Sequence, residues 1–256
     1  MKLKNTHTLI ILCAAFMIFV GGSIPSAAQV ERKVDKITLL AAEIPGGLVK
    51  IEGTRGVGVY PDLFYEAAAI SNTSITFRFV PWGRAFREVE QSEHLLTFPL
   101  TRLPEREARY KWLVPLDTDE IVFLSRDTPI NSLSQAKKLK RILVWEGSSM
   151  EIFLRSKGFS NLLAVGKTES LIRMLAHGRA DAWFTVRPEK MESFSANGSI
   201  VKIVSGDVIN SESVWLVGGK SFIHSEESRR FSQVVRNLVN KGRLKELKQK
   251  YKILPK

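Results

Sequence analysis

Cysteine is almost missing from this chain: the only one in 256 residues is Cys13. It falls inside an apolar stretch, residues 9–20, preceded by Lys2 and Lys4 and followed by Ser26, Ala27 and Ala28. That is the pattern of a secretory signal peptide, residues 1–28, cleaved after Ala28. A membrane anchor is the alternative, but roughly 12 apolar residues fall short of the roughly 20 that cross a bilayer. Cys13 follows Leu12 rather than a small residue, which argues against lipidation, so it is expected to leave with the signal. The remainder then has no cysteine, which excludes disulfides, thiol nucleophiles and cysteine-based zinc sites together. Histidine is scarce as well: His94, His177 and His224 remain, at spacings that suit no metal. There is no evident catalytic motif, no low-complexity linker and no repeat of solenoid length. The expectation is a compact non-enzyme without metal or cofactor.

Long basic runs are also lacking. The formal net charge is +12, falling to +10 once Lys2 and Lys4 are removed, yet the longest basic cluster is Lys137, Lys138, Lys140 and Arg141. It reads as a solvated helix end, and together with export it disfavours nucleic acid as a partner. A positive balance of this size attracts anionic solutes or membrane surfaces, or serves solubility alone. About 228 residues remain after the signal, enough for one large domain or for two lobes that each bury a core.

What is present is an alternation of strand-like and helix-like segments, the mark of an α/β protein with largely parallel sheets. Residues 37–42 read as a strand. Pro61 and Asp62 start a helix with Leu63, Phe64, Ala67, Ala68 and Ile70 on its apolar side, residues 75–80 alternate like the next strand, and residues 84–90 form a short helix. The second part repeats the logic: a strand at 142–145, a helix opened by Gly147, Ser148 and Ser149 and ended by Gly158, and a helix from Thr168 with Leu171, Ile172 and Leu175 inward. A strand at 180–184 follows. Ser148 and Glu151 stand three apart as in a capping box, which accounts for them structurally and also leaves backbone N–H groups free for an anion. A strand at 213–217 precedes two helices, one with Phe231, Val234, Val235 and Leu238 inward and one with Leu244, Leu247 and Tyr251. Two similar halves result, joined near residues 116–125.

The most informative stretch is residues 80–115. Pro81, Trp82, Gly83 and Arg84 stand at one end and Thr101, Arg102, Leu103, Pro104, Glu105, Arg106 and Glu107 towards the other. An aromatic and several arginines around short apolar runs are a way to hold a small anion. With the order of elements, the helix start at 58–63, the run 112–116 and Gly178, Arg179, Ala180, Asp181 and Ala182, this pattern resembles the bacterial extracellular solute-binding protein family 3. That family includes the periplasmic binding components of polar amino-acid ABC importers. The resemblance covers about residues 35–252.

It implies an α/β, periplasmic binding protein-like fold of two α/β lobes joined by a two-stranded hinge. Residues 29–119 and 214–256 would form lobe 1 and residues 120–213 lobe 2, with a ligand enclosed between them. It also implies a periplasmic monomer that captures an amino acid or another small carboxylate for an ABC permease. The matching arginine, Arg106, would pair with the ligand carboxylate, helped by Thr101, since a guanidinium fork fits two carboxylate oxygens. Pairing of Arg106 with Glu105 or Glu107 is the alternative. Trp82 matches an aromatic wall, or else serves the core, and Glu43 matches a polar contact to the ligand side chain, or else is a surface residue. Trp145, Ser148 and Ser149 match the loop that closes over the ligand.

Departures from the family pattern bear on the ligand. Thr185, Val186 and Arg187 occupy the place where an acid usually meets the ligand ammonium, and Arg187, Arg84 and Arg102 either favour a more anionic ligand such as a dicarboxylate or are solvated surface arginines. Pro99 stands where glycine is common, and Leu95 and Leu96 replace an acidic residue. Two other functions share the scaffold: a sensor that reports occupancy to a membrane partner, and a dehydratase-like enzyme using Glu43 as acid or base.

Overall fold

A computed structural model of the chain describes residues 36–44, 47–188, 194–196 and 199–253. The expected signal peptide, with Cys13, lies outside the described residues.

The first half opens with strand β1 (Lys36–Ala41), a small hairpin of β2 (Lys50–Glu52) and β3 (Arg55–Val57), helix α1 (Val59–Ser71), β4 (Ser74–Phe79), α2 (Trp82–Glu90) and β5 (Leu95–Thr101). One 3-10 turn, Pro104–Arg106, leads into the 16-residue strand β6 (Tyr110–Ser125). The second half contains α3 (Leu133–Ala136), β7 (Ile142–Trp145), α4 (Ser149–Ser156), β8 (Leu162–Val165), α5 (Thr168–Ala176) and β9 (Ala182–Val186). The hairpin strands β10 (Phe194–Ala196) and β11 (Ser199–Val201) and the short β12 (Val204–Ser205) follow. Strand β13 (Asn210–Gly219) then returns the chain to the first half, where α6 (Glu226–Asn240) and α7 (Arg243–Lys250) end it.

Among the described residues, nine strands form one sheet in the order β4-β1-β5-β13-β6-β9-β7-β8, with β12 on β6. The expectation of largely parallel sheets needs correction. The β1–β4, β1–β5, β7–β8 and β7–β9 pairs are parallel, but β13 runs antiparallel to both β5 and β6, and β6 antiparallel to β9. The reason is that β6 leaves the first half and β13 re-enters it, so these two strands must run in opposite directions. The sheet is continuous through them, and the described residues pack as one unit.

Each half has its own core. In the first, Leu39, Leu63, Phe64, Phe98, Phe231 and Val235 pack between the sheet and helices α1 and α6, while Leu40, Val89, Leu100 and Val217 meet α2 on the other face. In the second, the period-two alternation of β6 sends Ile121 and Phe123 towards α4 and Val122 and Leu124 towards α5. Strands buried on both faces in this way read as continuous apolar runs rather than alternating ones.

Several boundaries differ from the sequence reading for local reasons. Helix α2 starts at Trp82 rather than Arg84, because the Pro81 carbonyl accepts from both Arg84 N (2.9 Å) and Ala85 N (3.0 Å). Ile70, expected inward on α1, is 60% exposed; Ser71 turns in instead and bonds the Ala67 carbonyl at 2.7 Å. Strand β9 lies two residues later than expected, since Asp181 is used in a turn whose carboxylate accepts from Lys140 N (2.8 Å) and Arg141 N (2.9 Å). Strand β13 is twice the expected length and begins three residues earlier, which brings Glu212 into the sheet.

Candidate functional site

A cleft of about 1170 Å³ lies between the two halves, with the crossing strands β6 and β13 contributing to its lining. Arg106 enters it from the first half. Pro104 begins the turn that follows β5, and this places the guanidinium beneath Phe86, 5.6 Å from the ring centroid, with the residue only 7% exposed. Nη1 donates to the Thr101 carbonyl at 3.1 Å and Nη2 reaches the Gly147 carbonyl of the second half at 3.5 Å. No described carboxylate pairs with it. Glu107, one candidate partner, is instead taken by Arg102 through two bonds of 2.7 and 3.0 Å. Burial lowers the Arg106 pKa, the nearby Tyr110 and Glu212 oppose that, and a guanidinium remains charged in any case. A buried cation satisfied only by neutral carbonyls is costly unless an anion joins it.

Glu212 is the acidic counterpart on the same cleft. It is 5% exposed, accepts from the Ser149 hydroxyl and from Asn210 Nδ2 at 3.2 Å, and makes no ion pair with Arg106. Burial raises its pKa, while the bonds from Ser149, Thr101 and Asn210 pull the other way. Directly opposite on the ladder stands Asp119, whose pKa burial and neighbouring Asp117 push up to about 7 against the pull of Lys248. Lys248 is ion-paired with Asp117. Like charges facing each other across a ladder are unfavourable, so these strands carry a local excess of negative charge.

Of the residues singled out from sequence, Arg106, Thr101, Trp82, Trp145, Ser148 and Ser149 are brought together on the cleft. The Thr101 and Ser149 hydroxyls are 3.2 Å apart and join the two halves. Trp82 is half-buried and faces Trp145 nearly parallel, at a centroid distance of 6.2 Å and an angle of 20°, while Phe86 meets its edge at 4.8 Å. Ser148 caps α4, accepting from Glu151 N at 3.2 Å. In the reciprocal bond the Glu151 carboxylate accepts from Gly147 N at 2.8 Å, one residue earlier than in a standard capping box. Glu43 is not on the cleft: it is exposed, and its carboxylate accepts from Ile51 N at 3.4 Å.

The arginines read as favouring a dianion are engaged elsewhere. Arg84 pairs with Glu88 and Arg102 with Glu107, both outside the cleft lining. Arg187 lines the cleft but pairs with Glu120 at 3.4 Å. The acids Asp117, Asp119 and Glu212 were not singled out from sequence. The available signal was the spacing of Asp117 and Asp119, two apart in a strand and hence on one face. Among the described residues no cluster of His, Cys, Asp and Glu is placed to hold a metal, and no helix is long and apolar enough to cross a membrane.

This architecture, two α/β lobes joined by two crossing strands with a cleft between them, is the periplasmic-binding-protein-like fold. No family model matches the sequence, and no curated protein matches it. Solved structures match closely in shape. The GluR0 ligand-binding core from Nostoc punctiforme, in complex with L-glutamate, aligns with a TM-score of 0.68 at 18% identity over 84% of this chain and 98% of its own. An amino acid ABC transporter substrate-binding protein from Streptococcus pneumoniae, bound to L-arginine, gives 0.69 at 16% identity over 85% and 95%. A histidine kinase sensor domain with similarity to periplasmic binding proteins gives 0.71 at 15% identity over 85% and 96%. At these identities the likeness concerns the fold.

Proposed function

We propose that this chain is an exported, periplasmic solute-binding protein that captures a small carboxylate-bearing ligand, an amino acid or a relative of one, for an ABC importer. The observation that carries the reading is Arg106: a cleft-lining guanidinium, 7% exposed, without a carboxylate partner among the described residues. A ligand carboxylate supplies the missing anion through charge-assisted bonds, roughly twice as strong as neutral ones in a dry site. Glu212 takes the ligand's ammonium, and Trp82 and Trp145 wall its side chain. The lobes, residues 29–119 with 214–256 and residues 120–213, close over it through contacts such as Thr101 to Ser149. The likeness to proteins crystallised with glutamate and arginine supports this reading.

The likeness to a histidine kinase sensor domain favours a second role for the same cleft, reporting occupancy to a membrane partner without transport. The acid–base role considered for Glu43 has less support, since that residue stands outside the cleft.

The test is thermal unfolding of ligand-stripped protein with amino acids, dicarboxylates and polyamines, since a ligand at about 100 times its Kd adds about 2.7 kcal/mol. A zwitterionic amino acid is expected to raise Tm in the wild type and to fail in Arg106→Ala, which forfeits about 2–5 kcal/mol of binding. Glu212→Gln is expected to weaken the same ligand. A polyamine that stabilises Arg106→Ala as well as wild type would remove the carboxylate from the reading.

A further inference from the structure

A second concavity, of about 690 Å³, shares no lining residue with the cleft. Arg229, Ser232, Gln233 and Arg236 recur at helical spacing on one face of α6, and Lys111 and Trp112 of β6 complete that wall. Among the described residues no aspartate or glutamate lines it. Lys111 donates to the Phe222 carbonyl at 2.7 Å and Arg236 to the Leu113 carbonyl, so both keep an uncompensated charge. Arg229 is exposed and pairs with no described carboxylate. Burial first, then Lys111 and Arg229, lower the pKa of His224 on the same groove. The crowding of positive charge is therefore felt by a neighbouring group.

Two further donors are left over. The Ser232 hydroxyl and the Trp112 indole N–H are buried and have no hydrogen-bond partner. Both atoms are closed off from solvent, so they lie behind the groove's surface, and what the groove offers a ligand is the charge of its lining. Arg102, also on the groove, is neutralised by Glu107 and lies over the rings of Trp112 and Trp215, at 5.3 and 4.8 Å from their centroids. It closes one side without adding free charge.

We propose that this groove binds a phosphate-type oxyanion. Three cations without a described carboxylate partner, Lys111, Arg229 and Arg236, contributed by α6 and β6 and rich in N–H donors, line one hollow whose described lining offers no carboxylate. A tetrahedral oxyanion presents acceptors in several diverging directions and reaches more of these donors than the two oxygens of a carboxylate. Its negative charge also relieves the repulsion among Lys111, Arg229 and Arg236. The phosphate is either free or carried by a lipid headgroup.

The experiment is calorimetric titration of the protein with inorganic phosphate at constant ionic strength, alongside sedimentation with phosphatidylglycerol and phosphatidylcholine vesicles. Saturable phosphate binding is expected, weakened about tenfold in Arg229→Glu, the scale of one lost charge-assisted bond. Arg229 has no structural partner to lose, so this variant should fold, and Arg106→Ala should leave phosphate binding unchanged. Arg229-dependent sedimentation with phosphatidylglycerol vesicles alone would assign the phosphate to a headgroup. Heats equal to those of chloride with no vesicle binding, or binding indifferent to Arg229→Glu, would overturn the proposal. A glutamate-rich peptide that binds through Arg229 while phosphate and vesicles do not would make the groove a protein-docking surface instead.

Discussion

Arg106 and Glu212 show how little of a side chain's role its type decides. Both are buried titratable groups on one cleft, both are hydrogen-bonded to neutral groups, and they do not pair with each other. Arg106 was legible in the sequence because it sits in a dense local pattern after Thr101. Glu212 was not, because its importance depends on Ser149 and Asp119, far away along the chain. Asp119 makes this measurable. Its pKa rises from 3.8 to about 7 in the folded protein, so between those values the unfolded chain ionises while the native carboxyl keeps its proton. Stability on this account is full below about pH 4, falls as pH rises, and levels off above about pH 7. Asp119→Asn is therefore expected to stabilise the protein at pH 8 by about 1–2 kcal/mol, below the ceiling set by roughly 1.4 kcal/mol per pH unit because the side chain is partly solvated. The gain should vanish near pH 4 in urea melts. An equal gain at both pH values would show that Asp119 is not held protonated.

At the scale of elements, helices and strands were mostly readable and their ends were not. The periodicity of α1, α5 and α6 reports a buried face, which is a property of the segment itself. The ends are set by particular partners: the Pro81 carbonyl for α2, the Asp181 carboxylate for β9, the long pairing with β6 for β13. The start of α1 is the sharpest case. Gly58 has φ of 132°, and a Cβ there would lie 2.7 Å from the carbonyl oxygens of both Gly47 and Leu48. Those same carbonyls accept from Val59 N at 3.0 Å and Tyr60 N at 3.2 Å, so the loop is seated on the helix start. Gly58→Ala is expected to cost about 2–3 kcal/mol. That corresponds to a Tm lower by roughly 5–10 °C in a protein of this size. Because Gly47, Leu48 and Tyr60 line the cleft, ligand affinity should fall as well. A Tm equal to wild type would mean that the loop shifts freely.

For the whole molecule, the continuous sheet is a constraint on motion. Among the described residues only β6 and β13 carry sheet pairing from one half to the other, so relative movement of the lobes must bend those two strands. The Thr101–Ser149 and Arg106–Gly147 contacts cross the cleft and are ones an opening would break. Closure of a hinged pair of lobes on a ligand predicts a smaller radius of gyration by solution scattering once a stabilising ligand is added. Identical scattering with and without such a ligand would count against closure.

By itself the sequence determined the α/β class, the alternation of elements, the likeness to a binding-protein family and six of the residues that gather on the cleft. These follow from local periodicity, capping and short motifs, which act within a few residues of one another. Only the tertiary structure decided which charges face each other: that Arg106 is left without a carboxylate, that Glu43 stands outside the cleft, and that Glu212 and Asp119 stand side by side. Such relations depend on pairings between residues about a hundred positions apart, such as Glu212 with Asp119 and the Asn210–Ile121 register, and burial fixes their energy. Chain connectivity alone carries no trace of that distance in space.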